Sequence, residues 1–252
     1  MVGAVDIGRV LACENRILNA WPCLETLVME RWVIRLAGGY SGRSNAASPL
    51  AADADLDPAL LGAIEAVYHS AGLPPMVRLT PLATTGADDL LQRAGYLQRD
   101  ASIGMLAPLA GDRGTGSDLV LSPRATDTWV RGVSALQEGA KRDADAALMA
   151  IVRRIRLPAA FATLVHAGRA VGFGMSVIER GMAEIGSVVL DPGMRGLGLG
   201  RRLVVGLMDW AALNGAQDAY LQVEATNATA IGLYRSLGFA ELYRYRTMIR
   251  AE

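Results

Sequence analysis

The chain of 252 residues has little cysteine, little histidine and no excess of either charge sign. Its two cysteines, Cys13 and Cys23, cannot make a disulfide framework for a chain of this size and read as reduced core thiols of a cytoplasmic protein. Its two histidines, His69 and His166, have no ligand-like spacing to each other or to the cysteines, so a metal site has no support. Arginine and lysine together number 25 and are balanced by 25 acidic residues, so no global field favours nucleic acid. Lys141 is the only lysine. No apolar run approaches membrane-spanning length, and the first residues lack the charged-then-apolar pattern of a secretory signal. Apolar residues are plentiful at 52%, the composition of a folded globular chain long enough for one large or two ordinary domains.

Glycine is plentiful too, and it is concentrated where it carries chemistry. Val188, Val189 and Leu190 end a β-branched, apolar strand that Pro192 stops. Apolar residues resume at helical spacing with Leu203, Val204, Leu207, Met208 and Ala211. Between them lie Gly193, Gly196, Gly198 and Gly200. Small residues there let backbone N–H groups face a common concavity at a helix N-terminus, where unpaired donors and the helix dipole favour phosphate. Arg195 and Arg201 add charge and fork geometry. A P-loop is excluded because Arg201 and Arg202 stand where Lys and Ser or Thr belong. A Rossmann turn is excluded because Arg201 falls where its third glycine is needed for helix–strand packing. A Gly-rich surface loop ahead of a helix shares the composition.

A second pattern follows. Tyr220–Glu224 alternates as a half-buried strand. Asn227 opens a short helix, Tyr234 falls one turn before its end, and Gly238-Phe239 follows as a helix stop and an apolar return. Arg195-x-x-Gly198-x-Gly200 resembles the pyrophosphate-binding loop of the GNAT superfamily of acetyl-CoA-dependent N-acetyltransferases. Asn227 to Phe239 resembles that superfamily's closing signature. The resemblance implies an α/β fold of α+β type: a mixed, mostly antiparallel sheet flanked by helices. The order of elements after residue 117 is then β-α-α-β-β-β-α-β-α-β-β, ending in a hairpin. It also implies acetyl-CoA as co-substrate, held by Val188, Val189, Leu190, Arg195, Gly196, Leu197, Gly198, Leu199, Gly200, Arg201, Asn227 and Tyr234, with a bulge splaying the sheet beside Val189.

Acetyl transfer to an amine needs a base, because an α-amine of pKa about 8 or a lysine of about 10.4 is mostly protonated at neutral pH. Glu184, on the strand leading to the Gly-rich loop, is the candidate, since GNAT members that acetylate lysines carry Glu there; a solvated strand-end charge is the plainer alternative. Glu224 is the second candidate, and Glu179 and Glu241 read as surface charges. Tyr234 is the candidate donor to the departing thiolate, or else a core aromatic. Backbone N–H groups near Val189 are placed to polarise the thioester carbonyl. No Cys or Ser stands in a nucleophile constellation, which favours direct attack in a ternary complex. A module that senses acyl-CoA without turnover is the competing class. The acceptor amine, whether on a small molecule, a peptide or a protein, is not legible.

Gly111–Ser117 reads as a linker dividing residues 1–112 from an acetyl-CoA-binding domain at 117–252. Leu91–Tyr96 parallels Tyr234–Phe239, Met76–Leu79 parallels Tyr220–Val223, Leu60–Tyr68 reads as a helix and Trp32–Leu36 as a strand. The first half therefore reads as a degenerate GNAT-like copy. Where its phosphate loop belongs it carries Asp53, Asp55 and Asp57, which would repel pyrophosphate. Gly38–Asn45 reads as a flexible polar loop that either lines a substrate cleft or closes a hairpin.

Overall fold

A computed structural model of the chain describes residues 5–109, 119–137 and 144–250. The linker Gly111–Ser117 lies outside the described residues. In chain order the elements are α1 (Ile7–Ala20), β1 (Glu25–Met29), β2 (Trp32–Leu36), β3 (Ser48–Pro49), α2 (Pro58–Ser70), β4 (Met76–Leu79), α3 (Thr85–Arg93) and β5 (Leu97–Pro108). There follow β6 (Leu119–Ser122), α4 (Asp127–Leu136), α5 (Asp145–Val152), β7 (Ala159–His166), β8 (Arg169–Glu179) and β9 (Met182–Leu190). The last are α6 (Leu199–Leu213), β10 (Asp218–Glu224), α7 (Ala228–Ser236) and β11 (Ala240–Ile249). The expected closing hairpin is instead one strand, β11. Residues 240–249 contain no Gly, Pro, Asn or Asp to make a turn.

Residues group into two compact units. One holds Met1–Gly104, Val223–Thr226 and Glu241–Glu252; the other holds Met105–Gln222 and Asn227–Ala240.

In the first unit β1, β2 and β3 form an antiparallel sheet, and β4 pairs antiparallel with β11 from Met76–Ile249 to Leu79–Arg246. Asp57 caps α2 by accepting from Leu60 N at 2.8 Å, with Pro58 at the first helical position. Asp55 accepts from the Thr84 hydroxyl at 2.9 Å. Two of the three aspartates thus have local bonding roles. Trp32, Ile34, Leu61, Ile64, Tyr68 and Leu91 are core residues.

The loop Gly38–Asn45 is not the flexible segment its composition suggests. Asn45 is fully buried and uses its whole amide. Its oxygen accepts from Ala37 N at 2.7 Å and Gly39 N at 3.0 Å, while its nitrogen donates to the Tyr40 and Ser41 carbonyls at 2.9 Å each. Buried Arg35 donates to the Arg43 carbonyl at 2.7 Å and to the Trp21 carbonyl. Backbone groups that a loose loop would give to water are satisfied here by two side chains.

In the second unit β8 runs antiparallel to β7 and β9, β7 runs antiparallel to β6, and β10 runs parallel to β9. The sheet is mixed and mostly antiparallel, as expected. Glycines bring helices close to opposite faces of β8. A Cβ on Gly174 would meet Leu207 of α6 at 2.9 Å, and a Cβ on Gly132 of α4 would meet the Phe173 ring at 2.0 Å. Residues 173 and 174 point to opposite faces, so α4 and α6 cover different sides of the strand.

Candidate functional site

The site is built where β9 and β10 part company. Their parallel pairing runs Asp218–Met182, Ala219–Ala183, Tyr220–Glu184. Immediately beyond Gly186, β9 bulges. Met175 pairs with Gly186 and Phe173 with Val189, so Ser187 and Val188 together face Gly174. Ser187 takes a left-handed backbone, φ 51°. The Gly174 carbonyl, opposite the bulge, accepts from Trp129 Nε1 at 3.1 Å. Ser187, Val188, Val189 and Leu190 are only half-buried, whereas Ala183 to Gly186 are buried.

Beyond Leu190 the chain turns through Pro192–Met194, with Asp191 accepting from Gly193 N at 2.9 Å. Gly196 and Gly198 are left-handed, φ 79° and 73°, a conformation that costs other residues strain. Gly198 then starts α6. Helices α1, α2, α3, α4 and α7 begin at Asp6, Asp57, Thr84, Thr126 and Asn227, each of whose side chains accepts a first-turn N–H. No side chain caps α6 in this way. The same holds for α5 at Ala144, but at α6 the uncapped first turn follows two left-handed glycines, with exposed Arg195 just ahead of it.

The remaining predicted residues are distributed as follows. Leu197 is 60% exposed; Leu199 is buried and half-buried Gly200 follows it. Arg201 donates to Ser236 Oγ at 3.1 Å, which ties the first turn of α6 to the end of α7. Asn227 accepts from Ala230 N at 3.0 Å as the α7 cap. Tyr234 is buried, with its ring edge-on to Phe239 at 5.9 Å between centroids. Burial, with the nearby charge of Glu184 adding to it, pushes the Tyr234 phenol up to about 12. Glu184 and Tyr234 therefore share one electrostatic environment.

Glu184 is 0% exposed, so it is not a solvated strand-end charge. Glu224 is exposed. Glu179 is bridged to Arg180 at 3.1 Å and Glu241 to Arg244 at 2.6 Å. Gly186 was not picked out from the sequence. The signal was present as Glu-x-Gly on a strand, because residues i and i+2 share a face. A cavity of about 410 Å³ in the first unit, lined by Thr80, Thr84, Asp88, Ser102 and Tyr245 among others, involves none of these residues. Among the described residues no group of three or more His, Cys, Asp or Glu could hold a metal, and no helix is long and apolar enough to cross a membrane.

The sequence matches the family described as "Probable histone acetyltransferase Rv0428c C-terminal" over residues 9–248. The N-acetyltransferase YobR of Bacillus subtilis is 24% identical over 244 residues, 94% of this chain and 97% of that protein. The ribosomal protein bS18-alanine N-acetyltransferase of Escherichia coli is 36% identical over 78 residues, 31% of this chain and 53% of that protein. Among solved structures, a GCN5-related N-acetyltransferase from Kribbella flavida superposes with TM-score 0.72 at 15% identity, covering 99% of this chain and 97% of that one. A tandem GNAT protein from the clavulanic acid biosynthesis pathway superposes with TM-score 0.59 at 17% identity, covering 76% and 68%. The structural likenesses speak to fold, the family match to descent across nearly the whole chain. The chain belongs to the matched family and is an N-acetyltransferase of the GNAT superfamily.

Proposed function

We propose that the chain moves an acetyl group from acetyl-CoA to a primary amine by direct attack, with Glu184 as base and Tyr234 as hydrogen-bond donor to the leaving CoA thiolate. The observation carrying this reading is the end of β9–β10 pairing at the buried Glu184, with a bulged, half-buried edge running from there to the uncapped start of α6. The uncapped amides, left-handed Gly196 and Gly198, and Arg195 fit a pyrophosphate. The edge from Ser187 to Leu190 fits an extended chain that takes backbone hydrogen bonds. The relatives' names support an amine acceptor of some kind: one acts on the bS18 alanine, and another, from Clavibacter michiganensis, is a mycothiol acetyltransferase.

The amine nitrogen attacks the thioester carbonyl carbon, the C–S bond breaks, and the amine proton passes to Glu184 directly or through one water. Backbone N–H groups near Val189 are suited to the oxyanion. A thiol pKa near 8.5 lies well below the Tyr234 value of about 12. Outright proton transfer from Tyr234 to the thiolate is therefore uphill, and the phenol stabilises the sulfur as a hydrogen-bond donor.

Glu184→Gln tests the base. An ionised carboxylate gives the wild-type rate an acidic limb that rises with pH. The amide cannot take a proton, so the variant depends on amine that is already neutral. For an α-amine that is about one-tenth of the total at pH 7, so the loss is about tenfold there and shrinks as pH rises. An unaltered acidic limb in the pH–rate profile rules Glu184 out and makes Glu224 the next residue to test.

Arg195→Glu and Gly198→Asp test the loop. Each puts a carboxylate beside the proposed pyrophosphate, and the second also forces a left-handed backbone on a side-chain-bearing residue. Calorimetry is expected to show acetyl-CoA binding at least about tenfold weaker, a change of about 1.4 kcal/mol, with circular dichroism unchanged. Wild-type affinity in both folded variants overturns the loop assignment.

A further inference from the structure

We infer that Gly186 is a positioning residue for the transfer reaction, holding open the space in which the Glu184 carboxylate lies. The inference rests on the reading of Glu184 as base. A Cβ built on Gly186 would stand 2.7 Å from Glu184 Oε1, 2.7 Å from Oε2 and 3.0 Å from Cδ. Side-chain carbons do not approach oxygens that closely, so any residue other than glycine moves the carboxylate. The backbone gives no competing reason for glycine here. Gly186 is not among the residues of positive φ, and it pairs regularly with Met175 as a strand residue. Its i−2 spacing from Glu184 puts both on one face of β9, and the bulge that opens the edge begins at the next residue. Glycine within a strand weakens it and commonly marks a close approach. In this strand the approaching group is the carboxylate of Glu184.

The contact is with the far end of a flexible side chain, so Gly186→Ala is expected to fold and to displace only the carboxylate. The kinetic result expected is a kcat about tenfold lower at pH 7, KM for acetyl-CoA within twofold of wild type, and an acidic limb altered as in Glu184→Gln. Adding Gly186→Ala to Glu184→Ala is expected to cost no further twofold, because the group through which Gly186 acts is gone. Multiplying losses in the double variant overturn the inference.

Melting temperatures give a readout that does not depend on activity. With Glu184 present, Gly186→Ala is expected to lower Tm by about 2 °C through the clash. In a Glu184→Ala background it is expected to raise Tm by about 2 °C, the ordinary benefit of alanine over glycine in a compatible strand. Equal shifts in the two backgrounds overturn the positioning role. Opposite shifts, together with an acidic limb that survives in Glu184→Gln, leave the contact standing and instead sink the base assignment on which the inference rests.

Discussion

Tyr234→Phe is expected to lower kcat about a hundredfold while leaving KM for acetyl-CoA within about twofold of wild type. The ring keeps its edge-on contact with Phe239 and its buried position in α7, so packing survives the substitution. Only the hydroxyl is lost, and in the proposed mechanism it acts as the C–S bond breaks, when charge gathers on sulfur. A group that works only in the transition state appears in kcat rather than in KM. The electrostatics add a second expectation. Burial, then the charge of Glu184, push the phenol up to about 12, so it remains a protonated donor throughout any ordinary assay range. The basic side of the wild-type pH–rate profile is therefore not shaped by Tyr234, and Tyr234→Phe lowers the whole profile without moving its limbs. A rise in KM with kcat intact makes Tyr234 a packing or binding residue. A basic limb that disappears in the variant contradicts the stated protonation.

The parts of this architecture that were legible in the sequence are those that local chemistry determines. Trp32–Leu36 and Met76–Leu79 are strands with the expected bounds, because short apolar or alternating runs end at turn residues. The Gly-rich loop was legible because left-handed backbone at Gly196 and Gly198 leaves few alternatives to glycine. Asn227 announced the start of α7 because few side chains cap well. Other parts are hidden where one residue type serves two ends. Asp57 caps a helix and Asp55 bonds Thr84, local roles that their charge alone does not announce. The polar run Gly38–Asn45 was read as flexible, but Asn45 holds it with four hydrogen bonds. The closing hairpin was taken from the family pattern, and this chain lacks the turn residues to form it. The Glu-x-Gly spacing at Gly186 puts the two residues on one face, but only the fold shows that the glycine makes room for its neighbour's carboxylate. Contacts between residues distant in sequence left no local trace.

The largest stability effect is expected from such a contact, in the first unit. Glu14 of α1 and Arg78 of β4 are 2% and 1% exposed, and their side chains meet at 2.9 Å and 3.1 Å through the two terminal guanidinium nitrogens. The Tyr243 hydroxyl of β11 donates to the same carboxylate. Arg78 also donates to the Ser48 hydroxyl at 3.3 Å and lies 4.3 Å above the Tyr245 ring. One carboxylate thus joins the first helix, a buried strand and the last strand. Burial alone would pull the guanidinium's pKa down, but the Glu14 carboxylate beside it more than reverses that and holds it charged. Glu14→Gln removes the carboxylate and leaves the cation in a site that water does not reach. Breaking a buried pair in this way typically costs about 3–5 kcal/mol, so Tm is expected to fall by about 10 °C. Replacing the whole group together, as Glu14→Leu with Arg78→Met and Tyr243→Phe, is expected to recover most of that loss, because no buried charge then lacks its partner. Calorimetric melts of both proteins check this. A Glu14→Gln melt within 2 °C of wild type contradicts the account, and so does a triple variant that melts lower than the single one.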